Sequence, residues 1–473
     1  DPVVIYGSGE SANILLNALQ GDSSKNVVAI FDDSEVFKNF QINNVPIISS
    51  FNKLTKLKVK YNNLQVFLAI PNISTDMRRK IISNLETIKV AVRTVPSVTE
   101  LISDQKKMTD LQELSMDDIL PGTRISNVEL ANATSKTFFV SGAGGSIGAE
   151  ITRQLLLCNP KKIILFELSE YNLFAIEREC LAIISSKNLD SLIIPILGDI
   201  RDKENLQYIF KKFHIDCVYH AAAYKHVPLV EHENNLAKAA ENNILGTYYL
   251  AQVSVAHQVS SFVMISTDKA VRPTNVMGAT KRFAEIIIQS INANVDSTRL
   301  SMVRFGNVIN SSGSVIPLFL DQIAKGGPVT VTDKKVMRYF MTIPEASSLV
   351  LQAGEISTGG EVFIPKIPSM SVVNLAKAMA PDKPFHVIGI RPGEKLHETM
   401  VPEGDSKNTY DIGDRYIIES ALDLPIEPLK ARFPKTIKLV PEKFVYSSDQ
   451  NKEWLYIEEL QEILRLNNMM PSV

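Results

Sequence analysis

Twice along these 473 residues an apolar run stops at a glycine-rich turn and restarts as a helix. The first case is VVIYGSGESANILLNAL at residues 3–19, with Gly7 and Gly9 in the turn. The second is TFFVSGAGGSIGAEITRQLL at residues 137–156. An apolar strand feeding a glycine turn and an amphipathic helix opens a βαβ unit, and two such openings call for two sheets. The segments after each opening fit. NVVAIFDDS, LQVFLAI and VAVRTVP come after the first, separated by helical segments such as DMRRKIISNLETI. KIILFEL, LIIPILGDI, CVYHAAA, SFVMISTD and LSMVRFGNV come after the second. Strands alternating with helices predict parallel sheets covered on both faces.

The expected fold class is therefore α/β, with two doubly wound Rossmann-like domains and a small C-terminal substrate-binding lobe. The expected boundaries are a first domain over residues 1–98, a polar linker over 99–134 broken at Pro121-Gly122, a second domain over 135–440, and a tail over 441–473 carrying Trp454 and the helix-like EWLYIEELQEILRL. The length suits two domains better than one. Charge narrows the partners: at a net charge of -2 there is no electrostatic case for nucleic acid or an anionic membrane. Cys158, Cys180 and Cys217 are odd in number and widely spaced, which suits reduced thiols rather than disulfides or zinc. His220, His226 and His232 recur every six residues without a carboxylate arrangement for a metal, and no metal site is expected. No apolar run approaches the roughly 18 residues of a membrane-spanning helix. The chain opens at Asp1, already inside a strand-like run, and reads as part of a longer protein.

Gly142, Gly145 and Gly148 form GxxGxxG between strand and helix, and with Ala143, Ser146 and Ile147 they make a candidate pyrophosphate cradle. Three elements come after it in the order a dinucleotide site needs. Glu167, with Ser169 just after it, ends the next strand, where a carboxylate can accept from both ribose hydroxyls and repel an extra phosphate; this favours NAD. Asp199 and Ile200 end the third strand and can meet the adenine. Ala222 and Ala223 follow the fourth, where small side chains admit the cofactor, with Lys225 nearby. GSGESA at 7–12, followed by Asp32-Asp33, can either bind a nucleotide or serve as a structural turn.

The run GAGGSIG, GDIRD, HAAAYKHVPLVE, ENNILGT, STDKAVRPTNVMGATKR, RFGNVINSSGSVIPLF and RPGEKLHE resembles the extended short-chain dehydrogenase/reductase superfamily. Within it, the chain is similar to the polysaccharide-biosynthesis branch of UDP-N-acetylglucosamine 4,6-dehydratases, and GSGESA to the CoA-binding-like module of that branch's long, membrane-anchored members. The resemblance implies an NAD enzyme that makes the 4-keto-6-deoxy sugar of bacillosamine-type protein glycosylation. It also implies a homo-oligomer at the cytoplasmic face of the bacterial inner membrane, and retention at C5.

The resemblance further implies roles. Asp268 would be the acid at the C6 hydroxyl and Lys269 the base at C5, requiring a protonated acid and a neutral amine; Thr267 stands beside them. Lys281 would hold the nicotinamide ribose. Asn307 would lie near the diphosphate or sugar, and Arg338, Arg391 and Glu394 would bind UDP. Met277 departs from the superfamily pattern, in which a tyrosine four residues before the lysine takes the O4 proton. A thioether cannot do so, which leaves Asp268, directly or through water and Thr267, as the leading candidate. A UDP-sugar 4-epimerase and a non-catalytic NAD sensor are the alternatives; the Asp268-Lys269 pair argues against both.

Overall fold

The computed structural model describes residues 2–20, 25–32, 40–61, 63–70, 81, 84–85, 88, 90–94, 112–113, 130–309, 311, 314–381, 383–420 and 437–466. The chain divides into two compact units: Asp1–Leu120 with Glu462–Met469, and Pro121–Gln461 with Met470–Val473.

The first unit is built on a seven-stranded sheet in the order Gln41–Ile42, Val45–Ile48, Asn26–Phe31, Pro2–Tyr6, Gln65–Leu68, Ala91–Thr94, Gln112–Glu113. The central strands are parallel, as their alternation with helices requires, and Val3, Ile5, Ile30 and Phe67 are buried. Both edges are antiparallel, which the alternation did not foreshadow. One of those edges moves a boundary. Gln112–Glu113 pairs with Arg93 and Thr94, so the unit extends past residue 98 into the stretch expected to be linker. Backbone pairing, indifferent to side-chain polarity, is the reason. The remainder of 99–129, and most of the helix expected over 76–88, lie outside the described residues.

The second unit carries a ten-stranded sheet in the order Leu192–Leu197, Lys162–Glu167, Thr137–Ser141, Cys217–His220, Ser261–Thr267, Arg299–Phe305, Val362–Pro365, Arg415–Ile418, Thr409–Asp411, Lys438–Leu439. The first seven are parallel, and the last three add antiparallel. Strand order reverses between Thr137–Ser141 and Cys217–His220, which opens a crevice at their carboxyl ends.

The expected strand LSMVRFGNV splits at Gly306. Arg299–Phe305 stays in the large sheet, while Asn307–Val308 pairs with Met337–Met341 in a three-stranded sheet completed by Ser369–Ser371. A Cβ at Gly306 would lie 2.6 Å from Tyr339 Cβ, so the chain can cross here only without a side chain. The small sheet and the pairs Val329–Val331 with Phe385–Val387 and Thr399–Val401 with Tyr446–Ser447 form the smaller lobe. The bonds that fasten the tail to this unit include Leu455 N–H to Ser369 O at 2.9 Å and Gln461 Nε2 to Ala378 O at 3.0 Å. Among the described residues no helix is long and apolar enough to cross a membrane. No disulfide joins the three cysteines, and burial pushes the Cys180 and Cys217 thiols up to about 12.

Candidate active site

A cleft of about 690 Å³ lies at the reversal point, with one wall from the large sheet and the other from the smaller lobe. The glycine turn reaches it through Ile147. Gly142 holds φ at +65°, and a Cβ there would sit 2.8 Å from the Ala222 backbone. A Cβ at Gly148 would lie 2.1 Å from Gly142 O, so the helix Ser146–Leu157 closes onto the turn only because that position is bare. Gly145 caps this helix, Ala143 is buried beneath it, and Ile147 lines the cleft. A bare turn at a helix N-terminus fits a dinucleotide pyrophosphate.

Glu167 is almost buried, and its carboxylate accepts from the N–H groups of Gly144 (2.9 Å), Leu168 (3.0 Å) and Ser169 (3.1 Å). Ser169 in turn caps the helix Glu170–Lys187. Asp199 is gripped by Arg201, whose guanidinium lies 2.5–3.0 Å away and holds the carboxyl below its usual range. Ile200 packs against Gly246, where a Cβ would be 2.6 Å from Ile200 Cδ1. Ala223 and Lys225 line the cleft, and burial lowers the Lys225 pKa. His220 bridges Ser141 Oγ (2.7 Å) and Thr247 Oγ1 (2.9 Å) in full burial, which with Lys281 drives its pKa down to about 3. It is a neutral structural bridge.

The segment that bears the chemistry-capable side chains is fixed by one close approach. The helix Val276–Asn292 is capped by Asn275, whose Oδ1 accepts from Gly278 N–H at 2.8 Å. A Cβ at Gly278 would be 2.3 Å from Lys269 O, so this helix presses directly on the turn Asp268–Ala270. Met277 and Lys281 thereby share a helix face beside Thr267 and Lys269, and all four line the cleft. Met277 packs on Val230 and Ala239. Burial lowers Lys281 to about 8, with Glu285 opposing. Beneath them, buried Arg304 forks onto Glu285 at 2.8 and 3.1 Å, and Ser266 Oγ donates to Glu285 at 2.6 Å. Removing one partner from such a buried pair costs about 3–5 kcal/mol. The sequence reading passed over this pair.

Asp268 is fully buried and does not itself line the cleft. Thr267 Oγ1 donates to Asp268 Oδ1 at 2.9 Å, Lys269 Nζ donates to the same oxygen at 3.0 Å, and Oδ2 has no hydrogen-bond partner among the described residues. Thr267 therefore stands between the cleft and the acid. Lys269 departs from the expected neutral amine. Burial opposes its charge, but the carboxylates of Asp268 and Glu398, the latter 3.8 Å from Nζ, outweigh it and raise its pKa. Resting Lys269 is an ammonium ion.

Arg338 also departs from expectation. Its guanidinium donates to the carbonyls of Met337 (2.9 Å), Leu396 (3.1 Å) and Lys395 (2.8 Å) and to Glu394 Oε1 (3.0 Å). Those donors shape the 391–398 loop instead of presenting an open fork. Glu394 is engaged by Arg338, by Thr332 Oγ1 and by Arg391 N–H. Arg391 is exposed at the cleft, with no side-chain bond among the described residues, and Asn307 lines the same wall. Glu398 is a further site residue that the sequence reading missed: it ends the quoted RPGEKLHE, but nothing local distinguished it from surface acid. Among the described residues no group of three His, Cys, Asp or Glu side chains gathers in metal-binding geometry.

A doubly wound sheet with a glycine cradle at its reversal point, facing a second lobe across a cleft, defines an extended short-chain dehydrogenase/reductase. More particularly, the chain belongs to the family described as polysaccharide biosynthesis protein, whose model matches residues 138–420. Among its relatives, the capsular polysaccharide biosynthesis protein CapD of Staphylococcus aureus is 38% identical over 91% of this chain and 75% of its own length. A UDP-N-acetylglucosamine 4,6-dehydratase (inverting) of Campylobacter jejuni is 37% identical over 70% of this chain and 97% of its own. The crystal structure of Pen from Bacillus thuringiensis superposes with a TM-score of 0.63 at 32% identity, covering 72% of this chain and all of that one.

Proposed function

We propose that this chain is an NAD-dependent nucleotide-sugar dehydratase that converts UDP-N-acetylglucosamine to its 4-keto-6-deoxy product. The observation that carries the reading is the Thr267–Asp268–Lys269 turn: a hydroxyl and an ammonium at the cleft wall, both bonded to one buried carboxylate oxygen, beside Met277 and Lys281. The relative named a 4,6-dehydratase supports the substrate class.

The residues present can perform the proton work that the reaction needs. Gly142, Gly145 and Gly148 would hold the pyrophosphate, Glu167 the adenosine ribose and Lys281 the nicotinamide ribose. Bound NAD would supply hydride acceptance at C4 and hydride return at C6. Thr267 takes the O4 proton while passing its own to Asp268, so no phenol is needed at position 277. Asp268, now protonated and shielded, returns that proton through Thr267 to the departing C6 hydroxyl. Lys269, once neutral, removes the hydrogen at C5, made acidic by the ketone at C4, and returns it. Arg391 is the open fork for the diphosphate. We further propose retention at C5, homo-oligomerisation, and operation at the cytoplasmic face of the inner membrane.

Incubation with UDP-N-acetylglucosamine in D2O, followed by mass spectrometry and NMR, tests the reading. Loss of one water, with deuterium at C5, is expected. An unchanged mass with inverted C4 would make the chain an epimerase, and NAD binding without turnover would make it a sensor. The same spectrum reads the C5 configuration.

A further inference from the structure

The cleft holds a charged group that the chemistry above leaves without a part. Glu398 precedes the strand Thr399–Val401, and its backbone is pinned by Ser448 on both sides: its N–H donates to Ser448 Oγ at 3.0 Å and its carbonyl accepts from Ser448 N–H at 2.8 Å. Its side chain is only 3% exposed yet reaches the cleft wall. Oε1 lies 3.8 Å from Lys269 Nζ and 3.9 Å from Arg338 Nε, and Oε2 has no hydrogen-bond partner among the described residues. A buried carboxylate left this far from full pairing is costly unless its unfilled capacity is used.

Among the described residues, four charged groups face it. Asp268 and Lys269 come from the turn after Ser261–Thr267, Arg338 from Met337–Met341, and Lys395 from the preceding loop. Burial, and then repulsion from Asp268, raise the pKa of Glu398, with the three cations opposing. Its affinity for a proton is therefore enhanced, at the side of an ammonium that must lose one before it can act as a base.

We propose that Glu398 acts through Lys269 as its proton acceptor. One N–H bond of the Lys269 ammonium breaks, an O–H bond forms on Glu398, and the neutral amine faces the cleft ready to take the C5 hydrogen as a proton. When that proton has returned to C5, the one on Glu398 passes back to Lys269. The transfer converts a partly buried ammonium and a buried carboxylate to two neutral groups, so desolvation favours it where it would oppose any step creating charge. The two atoms must close by about 1 Å, as catalytic contacts do when a ligand tightens the site. The inference rests on the reading of Lys269 as the C5 base.

The test isolates that one proton. The 4-keto-6-deoxy product is incubated with the full chain in D2O, and enzyme-dependent exchange at C5 is followed by proton NMR. Glu398→Gln keeps shape and thermal midpoint but should slow exchange near neutral pH by roughly 10–100-fold. The rate should recover at alkaline pH, where Lys269 loses its proton unaided and does so earlier without the Glu398 charge. Lys269→Ala should exchange slowly at every pH. Wild-type exchange by Glu398→Gln near neutrality, with Lys269→Ala inactive, overturns this inference alone. Slow exchange without alkaline recovery overturns it too, since a merely structural loss has no pH rescue. Normal exchange by Lys269→Ala overturns the base assignment beneath it.

Discussion

Gly7 and Gly142 both hold positive φ, at +106° and +65°, and each gives its N–H to the neighbouring strand, Gly7 to Phe31 O at 2.7 Å and Gly142 to Phe166 O at 2.8 Å. From there the two turns diverge. In the second unit three bare positions meet backbone: Gly142 at Ala222, Gly144 at Asn172, Gly148 at Gly142 itself. In the first unit a Cβ at Gly9 would meet nothing within 4 Å, and buried Ala12 takes the third glycine's place. The acids after the second strands differ as well. Asp32 takes both the N–H and the hydroxyl of Ser8, at 2.9 and 2.5 Å, whereas Glu167 takes backbone N–H groups only. One chassis thus appears twice, and closer backbone approach, rather than the glycine pattern itself, distinguishes the second turn from the first.

Three experiments press on that contrast. The largest effect is expected from the acids: Asp268→Asn should cut turnover by roughly 10²–10⁴-fold, while Asp32→Asn leaves turnover within about twofold of wild type. Steady-state kinetics on both variants would blur the comparison if Asp32→Asn were equally damaging. Next come the glycines. Gly148→Ala forces a Cβ to 2.1 Å from a carbonyl oxygen and should abolish measurable NAD binding by calorimetry, whereas Gly9→Ala should shift stability by less than about 0.5 kcal/mol. The smallest effect is a pH dependence confined to the second unit. Lys281 is held near 8, below the ordinary lysine value, so its charge is present under that pH and lost above it. NAD affinity should therefore weaken as pH rises through about 8, by at most about tenfold per unit; flat affinity from neutral to alkaline pH would remove Lys281 from the cofactor site.

Much of the fold could be read from the chain because the central parallel strands are mostly apolar runs, as both faces are covered. The antiparallel edges could not: Gln112–Glu113 is polar and two residues long, and its pairing is visible only in three dimensions. Gly306 is a similar case, since only the approach of Tyr339 shows why the strand stops there. At the site, local spacing placed Thr267, Lys269, Met277 and Lys281 together, because one helical turn and one cap fix their relation. Charge states were beyond its reach. Lys269 is cationic because Asp268 and then Glu398 outweigh burial, and Glu398 lies more than a hundred residues away in sequence, while Arg338 is committed to carbonyls that no motif reveals.

Asp268 lies behind Thr267, out of contact with solvent. A proton lodged there is out of reach of any dissolved acid or base, so changing buffer species or concentration at fixed pH should leave the elimination rate untouched. The hydrogen that leaves O4 would depart in the water formed from the same sugar molecule, with the bulk medium never consulted between the two events.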